Sequence, residues 1–204
     1  MNLLFIFFTG ITIGISGAMI PGPLTFFTVR EVLKTNRFAS LRIILGHIIL
    51  EFVLIAVIFL GFQRFLSSKE FLLAISIVGG VALIIMGIII FLTAAKMNLP
   101  DKGSGSGFSK GLILGGIFFS IISPGFIAWW TTIGLSTVMK ALLFGVSGAV
   151  ILTLGHWLAD ILWYWFLSYA IEKSRRYLSD RSYQNVLRFV SVILIILGIR
   201  FLII

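Results

Sequence analysis

Gly46-His47-Ile48-Ile49-Leu50-Glu51 sets a histidine and a carboxylate four residues apart inside an apolar run. The pattern returns at Gly155-His156-Trp157-Leu158-Ala159-Asp160. The chain has 2 histidines and 7 acidic residues. Both histidines, and the two acids deep inside long apolar runs, fall in these two copies. On a helix, residues four apart share a face, so each copy presents its histidine and carboxylate side by side. A charge in lipid is costly and persists mainly where it faces a protein interior or a polar cavity. Glu51, Asp160, His47 and His156 are therefore the candidate substrate- and proton-binding residues, histidine being the side chain whose charge changes near neutrality.

Hydrophobic residues make up 59% of the chain and charged residues 11%, with a mean hydropathy of +1.15. A soluble domain carries about 25% charged residues. Apolar runs of about 20 residues recur along the sequence and define an all-α integral membrane protein. The net charge of +9 does not point to nucleic acid, because the basic residues sit in short loops between apolar runs. The absence of cysteine excludes disulfides and thiolate metal sites. Nothing implies a cofactor. Leu3–Val29 is read as a membrane helix and not a cleaved signal peptide, since it lacks a basic n-region and has a counterpart later in the chain.

Six apolar segments are expected: Leu3–Val29, Ala39–Phe62, Phe71–Ala95, Lys110–Ile133, Ala141–Ala170 and Gln184–Ile204. The first would be about 40 Å long as a straight helix, against a hydrocarbon core of ~30 Å. It contains Pro21-Gly22-Pro23, which removes two backbone donors and frees one backbone position, so a broken or kinked helix is predicted. Ser123-Pro124-Gly125 is the weaker equivalent in the fourth segment. The loops after segments one, three and five hold twelve of the 16 basic residues, which places them in the cytoplasm and both termini outside.

Pro100-Asp101-Lys102-Gly103-Ser104-Gly105-Ser106-Gly107 reads as a flexible linker. It divides the chain into repeat 1 (residues 1–95), linker (96–109) and repeat 2 (110–204). The Pro-Gly steps and the Gly-His motifs recur in the same order in both halves, and IIMGIIIFL (Ile84–Leu92) answers IILGIRFLI (Ile195–Ile203). Three spans per half make the second repeat run inverted, a pattern found in many secondary transporters. Gly10 and Gly14 form a GxxxG step that pairs with Gly111 and Gly115 in this alignment, suited to close helix packing.

Counted from Arg42, Glu51 lies about 13 Å into the membrane. Counted from Glu172, Asp160 lies about 18 Å from the same side, with His47 at about 8 Å and His156 at about 24 Å. That separation argues against one haem shared by the two histidines. Pro21, Gly22, Pro23, Ser123, Pro124 and Gly125 are expected to line a cavity where half-helix N-termini offer free N–H groups to an anionic group. Trp129, Trp130 and Trp157 are expected as its walls, and Trp163 and Trp165 as interfacial anchors.

Ile20–Val29 (IPGPLTFFTV) resembles the early Pro-Gly-Pro signature of the lysine-exporter superfamily of small amino-acid efflux proteins. Gly46–Glu51 is similar to that family's glycine-to-acid motif, with glutamate in place of aspartate, and Ser123-Pro124 resembles its Asn-Pro step. Leu24, Leu50, Gly125 and the Trp129-Trp130 pair depart from its usual pattern. The resemblance spans nearly the whole chain. It implies a non-enzymatic exporter of an amino acid or related solute, coupled to protons, with Pro21, Gly22, Pro23, Glu51 and Pro124 in the site.

The leading expectation is thus a multi-pass plasma-membrane exporter whose partners are a small solute, protons and the bilayer. Self-association into a homo-oligomer is left open. The alternative is a divalent-metal transporter that uses the two histidines and two carboxylates as nitrogen and oxygen ligands.

Overall fold

The structure, a computed structural model, describes residues 2–62, 65, 68–101 and 110–203, and among these it contains helices and no strand. The Gly-Ser part of the expected linker (102–109) and Arg64 lie outside the described residues.

Helix α1 (Leu3–Ala18) starts where the Asn2 side chain accepts the Leu4 N–H at 3.2 Å. Its buried residues Ile6, Gly10, Gly14 and Ala18 recur every fourth position, a narrow stripe of mostly small side chains. The helix stops before Pro21, which has no N–H to continue it. Gly22 is extended, and Pro23 opens α2 (Pro23–Lys34) at the first helical position, where its missing donor costs nothing. The two axes meet at 81°, so the first segment is broken rather than gently kinked.

Helix α3 (Ala39–Val57) carries the first Gly-His motif and ends in a π-helical turn, Ile58–Phe62. Gly61 there adopts φ 91°, a left-handed value that a side chain would strain. Helix α4 (Lys69–Thr93) is capped by Ser68, whose hydroxyl accepts the Phe71 N–H. Helix α5 (Lys110–Ile121) leads to the second break, where Ser123 caps α6 (Pro124–Trp129) and the chain turns by 61°. A π-helical turn, Trp130–Gly134, continues into α7 (Leu135–Leu142).

The fifth and sixth segments differ from their expected bounds. Gly145, with φ 78°, turns the chain, so Ala141 belongs to α7 and the long helix is α8 (Gly145–Ser174). Helix α9 runs Asp180–Leu202 because Ser179 caps it, drawing Arg181 into its first turn.

Packing pairs three helices of the first half with three of the second: α1 with α8, α3 with α5 and α4 with α9. Glycine makes these approaches possible. A Cβ at Gly10 would lie 2.2 Å from the Leu152 carbonyl oxygen, and one at Gly155 would lie 2.2 Å from that of Phe7. Gly116 meets Ile43 O and Gly46 meets Ile113 O in the same way, at 2.0 Å each. The two crossings therefore match, with Gly10 answering Gly116. This corrects the expected pairing of Gly10 and Gly14 with Gly111 and Gly115, since Gly115 instead receives the Phe27 ring.

Among the described residues, four helices are long and apolar enough to cross a membrane, and up to six spans result when each bent pair counts as one. Phe52, Val78 and Leu92, like many large apolar residues, are exposed on the outer surface, as lipid-facing side chains would be. At one end of the bundle the basic loops converge. Arg37 pairs with Glu172 at 3.7 Å, the Arg175 guanidinium donates to the carbonyls of Leu33 and Pro100, and Asp180 accepts the Leu99 N–H at 2.7 Å.

Candidate functional site

The Arg37–Glu172 pair resets the depth scale. Glu172 pairs with Arg37, which lies in the turn before α3 and so before Arg42. Asp160 and His156 therefore sit nearer that end than the count from Arg42 gives, and closer to the level of Glu51. The predicted separation of the two histidines is wrong for this reason. Both reach the same carboxylate.

Glu51 is 1% exposed and Asp160 2%. Glu51 Oε1 lies 3.2 Å from His47 Nε2 on its own helix and 3.0 Å from His156 Nε2 on α8. His156 Nε2 is also 3.4 Å from Asp160 Oδ2. The two copies of the motif thus form one cluster across the halves, not two separate pairs. The Trp130 indole N–H donates to Glu51 Oε1 at 3.0 Å. Glu51 Oε2, Asp160 Oδ2 and His156 Nδ1 are buried with no hydrogen-bond partner among the described residues.

Aromatic rings hold the imidazoles. Trp129 stacks on His156 with centroids 4.9 Å apart and planes at 17°, and its own N–H reaches Ser16 Oγ. Trp130 meets His156 edge-on at 5.5 Å, and Phe126 meets His47 edge-on at 5.2 Å. These contacts fix ring planes that would otherwise rotate freely in an apolar cavity.

The cluster lines a chamber of about 40 Å³, which also touches Gly22, Ser123 and Gly125. The two helix breaks meet at this chamber: a Cβ on Gly22 would lie 3.3 Å from Ser123 Oγ, and one on Gly125 3.0 Å from the Ile20 side chain. Leu24 and Thr25, in the first turn of α2, line it too, and their N–H groups precede the first intrahelical bond. Pro21, Pro23 and Pro124 lie behind the breaks, on a neighbouring apolar hollow, so they shape the chamber without lining it. Trp129 and Trp130 are walls as expected. Trp157 is not: its ring turns away toward Phe52 and lines a separate apolar hollow. Trp163 does not behave as an anchor either, since its indole N–H is buried with no hydrogen-bond partner among the described residues, whereas Trp165 lies under the Arg37 guanidinium at 5.3 Å.

A family model described as LysE type translocator matches residues 15–204. The chain belongs to the LysE type translocator family. No curated protein and no solved structure matches it. As a LysE type translocator it is a multi-pass membrane transporter with a small-molecule substrate, not an enzyme.

In this translocator, His47, Glu51 and Asp160 offer ligand-type atoms within 4.8 Å of one another. Trp130 aims an N–H at the oxygen that His47 and His156 share, so a cation beside that oxygen would compete with a fixed donor. Nothing in this arrangement favours the divalent-metal alternative. Ser120, Thr25 and Tyr164 escaped the sequence reading. Ser120 Oγ lies 2.8 Å from His47 Nδ1, and Thr25 Oγ1 lies 3.4 Å from the Tyr164 hydroxyl. No spacing marks them, because a lone hydroxyl in an apolar helix ordinarily bonds back to its own backbone.

Proposed function

We propose that this translocator exports a small solute, an amino acid, across the plasma membrane in exchange for protons, with both termini outside. Its halves act as inverted three-helix repeats that rock about the two Pro-Gly breaks and expose the chamber to each side in turn. One observation carries this reading: Glu51, from one half, is bonded to histidines of both halves where the breaks meet. A proton that loads or leaves this carboxylate changes the attraction between the halves, which is what coupling requires.

The chamber's chemistry supports a zwitterion. Glu51 Oε2 and Asp160 Oδ2, without a hydrogen-bond partner among the described residues, suit an ammonium, and the first-turn N–H groups of α2 suit a carboxylate. The test is counterflow of labelled amino acids and divalent cations in proteoliposomes with an imposed pH difference. Glu51→Gln keeps the size of the side chain and removes its charge. It is expected to abolish proton-driven flux while the purified protein keeps its fold and elution behaviour. Full flux in that variant would remove the carboxylate from the mechanism, and flux of a metal alone would reverse the choice of substrate.

A further inference from the structure

The hydroxyl of Ser120 has one proton and two neighbours. Gly116 O, at 2.6 Å, can only accept, so the serine proton goes there. The lone pairs of Ser120 Oγ then face His47 Nδ1 at 2.8 Å, and that nitrogen must carry a hydrogen. With Nδ1 so occupied, His47 Nε2 faces Glu51 Oε1 as a bare nitrogen or as part of an imidazolium. Two lone pairs do not hold a 3.2 Å contact, so the gap holds one proton, on the histidine or on the acid.

The other half lacks this device. The matching glycine contacts that set Gly10 against Gly116 also set Gly14 against Ser120. A Cβ at Gly14 would stand 2.9 Å from His156 Nδ1, and no hydroxyl is there to hold that nitrogen. With Nδ1 unpartnered, His156 places its N–H on Nε2, donating to Glu51 Oε1 at 3.0 Å. Two histidines in corresponding places thus differ at Nδ1, which carries a hydrogen in His47 and none in His156.

We propose that Ser120 is a positioning residue that fixes the His47 tautomer and so assigns the exchangeable proton to the His47–Glu51 gap and not to His156. This deepens the proton-coupled reading and rests on it for its role in transport. The titratable groups facing His47 are Glu51 on its own helix and His156, Asp160 and Tyr164 on α8, and among the described residues no lysine or arginine lines the chamber. From α5, among the described residues, Ser120 bonds it, and Phe126 of α6 and Trp130 of the π-helical turn after it approach the pair. Without the Ser120 hydroxyl, His47 can become a neutral Nε2–H donor like His156. The carboxylate is then satisfied with no extra proton.

The test uses the protein's 2 histidines, which make a ¹⁵N-histidine spectrum of the purified chain a two-residue spectrum. A His156→Gln variant assigns the signals. Wild-type His47 is expected to show a protonated Nδ1, and Ser120→Ala to convert it to Nδ1 bare and Nε2 protonated, with Ser120→Thr restoring the first pattern. In proteoliposomes, wild-type flux governed by one proton changes up to about tenfold per pH unit, and Ser120→Ala flattens that profile while Ser120→Thr recovers it. A wild-type spectrum with no protonated Nδ1 signal from either histidine would overturn the proposal even if no variant folds. An unchanged pH profile in folded Ser120→Ala would do the same. The spectrum stands whatever the solute, so it fails separately from the export reading, which Glu51→Gln decides.

Discussion

At the scale of single residues, Glu51 is a crowded acceptor. One of its oxygens lies beside the Trp130 N–H and the Nε2 atoms of His47 and His156, and the other has no hydrogen-bond partner among the described residues. A hydrogen bond to a charged group contributes about 1.5–3 kcal/mol, so each donor matters to whether the carboxylate stays ionised in so dry a place. Trp130→Phe keeps the ring against His156 and deletes the N–H. We expect proton-driven flux at a fixed pH to fall about tenfold or more, measured as initial rates in proteoliposomes, without loss of folded protein. The histidine and acid within each motif were legible from the sequence, because four-residue spacing fixes a shared helix face. The His156–Glu51 bond was not, because it depends on how far α8 has slid along α3. Neither motif contains that information.

At the scale of elements, glycine decides which helices approach. The crossings of α1 with α8 and of α3 with α5 put backbone against backbone, and any side chain at their centres meets a carbonyl oxygen. Gly116→Ala should therefore destabilise by about 1–3 kcal/mol, as overpacking does. That is a fall of roughly 2–4 °C in Tm per kcal/mol for a chain of this size, read from thermal unfolding in detergent. Gly46→Ala strains the same crossing, and the double variant should cost less than the sum, since one shift of α5 relieves both. The helix breaks could be read in advance because proline withholds a donor wherever it stands. The start of α8 could not, since Gly145 looks like any other glycine until its φ of 78° is known. The GxxxG step at Gly111 and Gly115 misled for a related reason: the spacing marks a small face without naming the helix that will use it.

At the scale of the whole molecule, the halves are fastened most visibly at the basic end. Arg175 ties the end of α2 to Pro100 after α4, and Arg37 reaches across to Glu172 on α8. In the proposed cycle, opening the chamber toward that end breaks these contacts. Arg175→Ala removes two charge-assisted bonds and should raise the open population about tenfold or more. Because the chain has no cysteine, a single Thr25→Cys can report it. Its modification by an impermeant thiol reagent added on the basic side should speed up by that factor, and an unchanged rate would show that the fastening does not control access. The gathering of basic loops on one face agrees with the charge pattern of the sequence, and the interlocking of the halves does not follow from it. Two repeats joined by a flexible linker would read the same if they folded side by side.

The chamber has a volume of about 40 Å³. A cavity of ~150 Å³ is what six-atom benzene occupies in a protein interior, so no amino acid fits here until walls withdraw. A passage this narrow offers no standing path for a hydrated ion or a solute. In the proposed cycle each molecule is admitted by one rearrangement and released by another, at the pace of moving helices instead of the pace of diffusion through a hole. On that reading the translocator works as a turnstile and not as a pore.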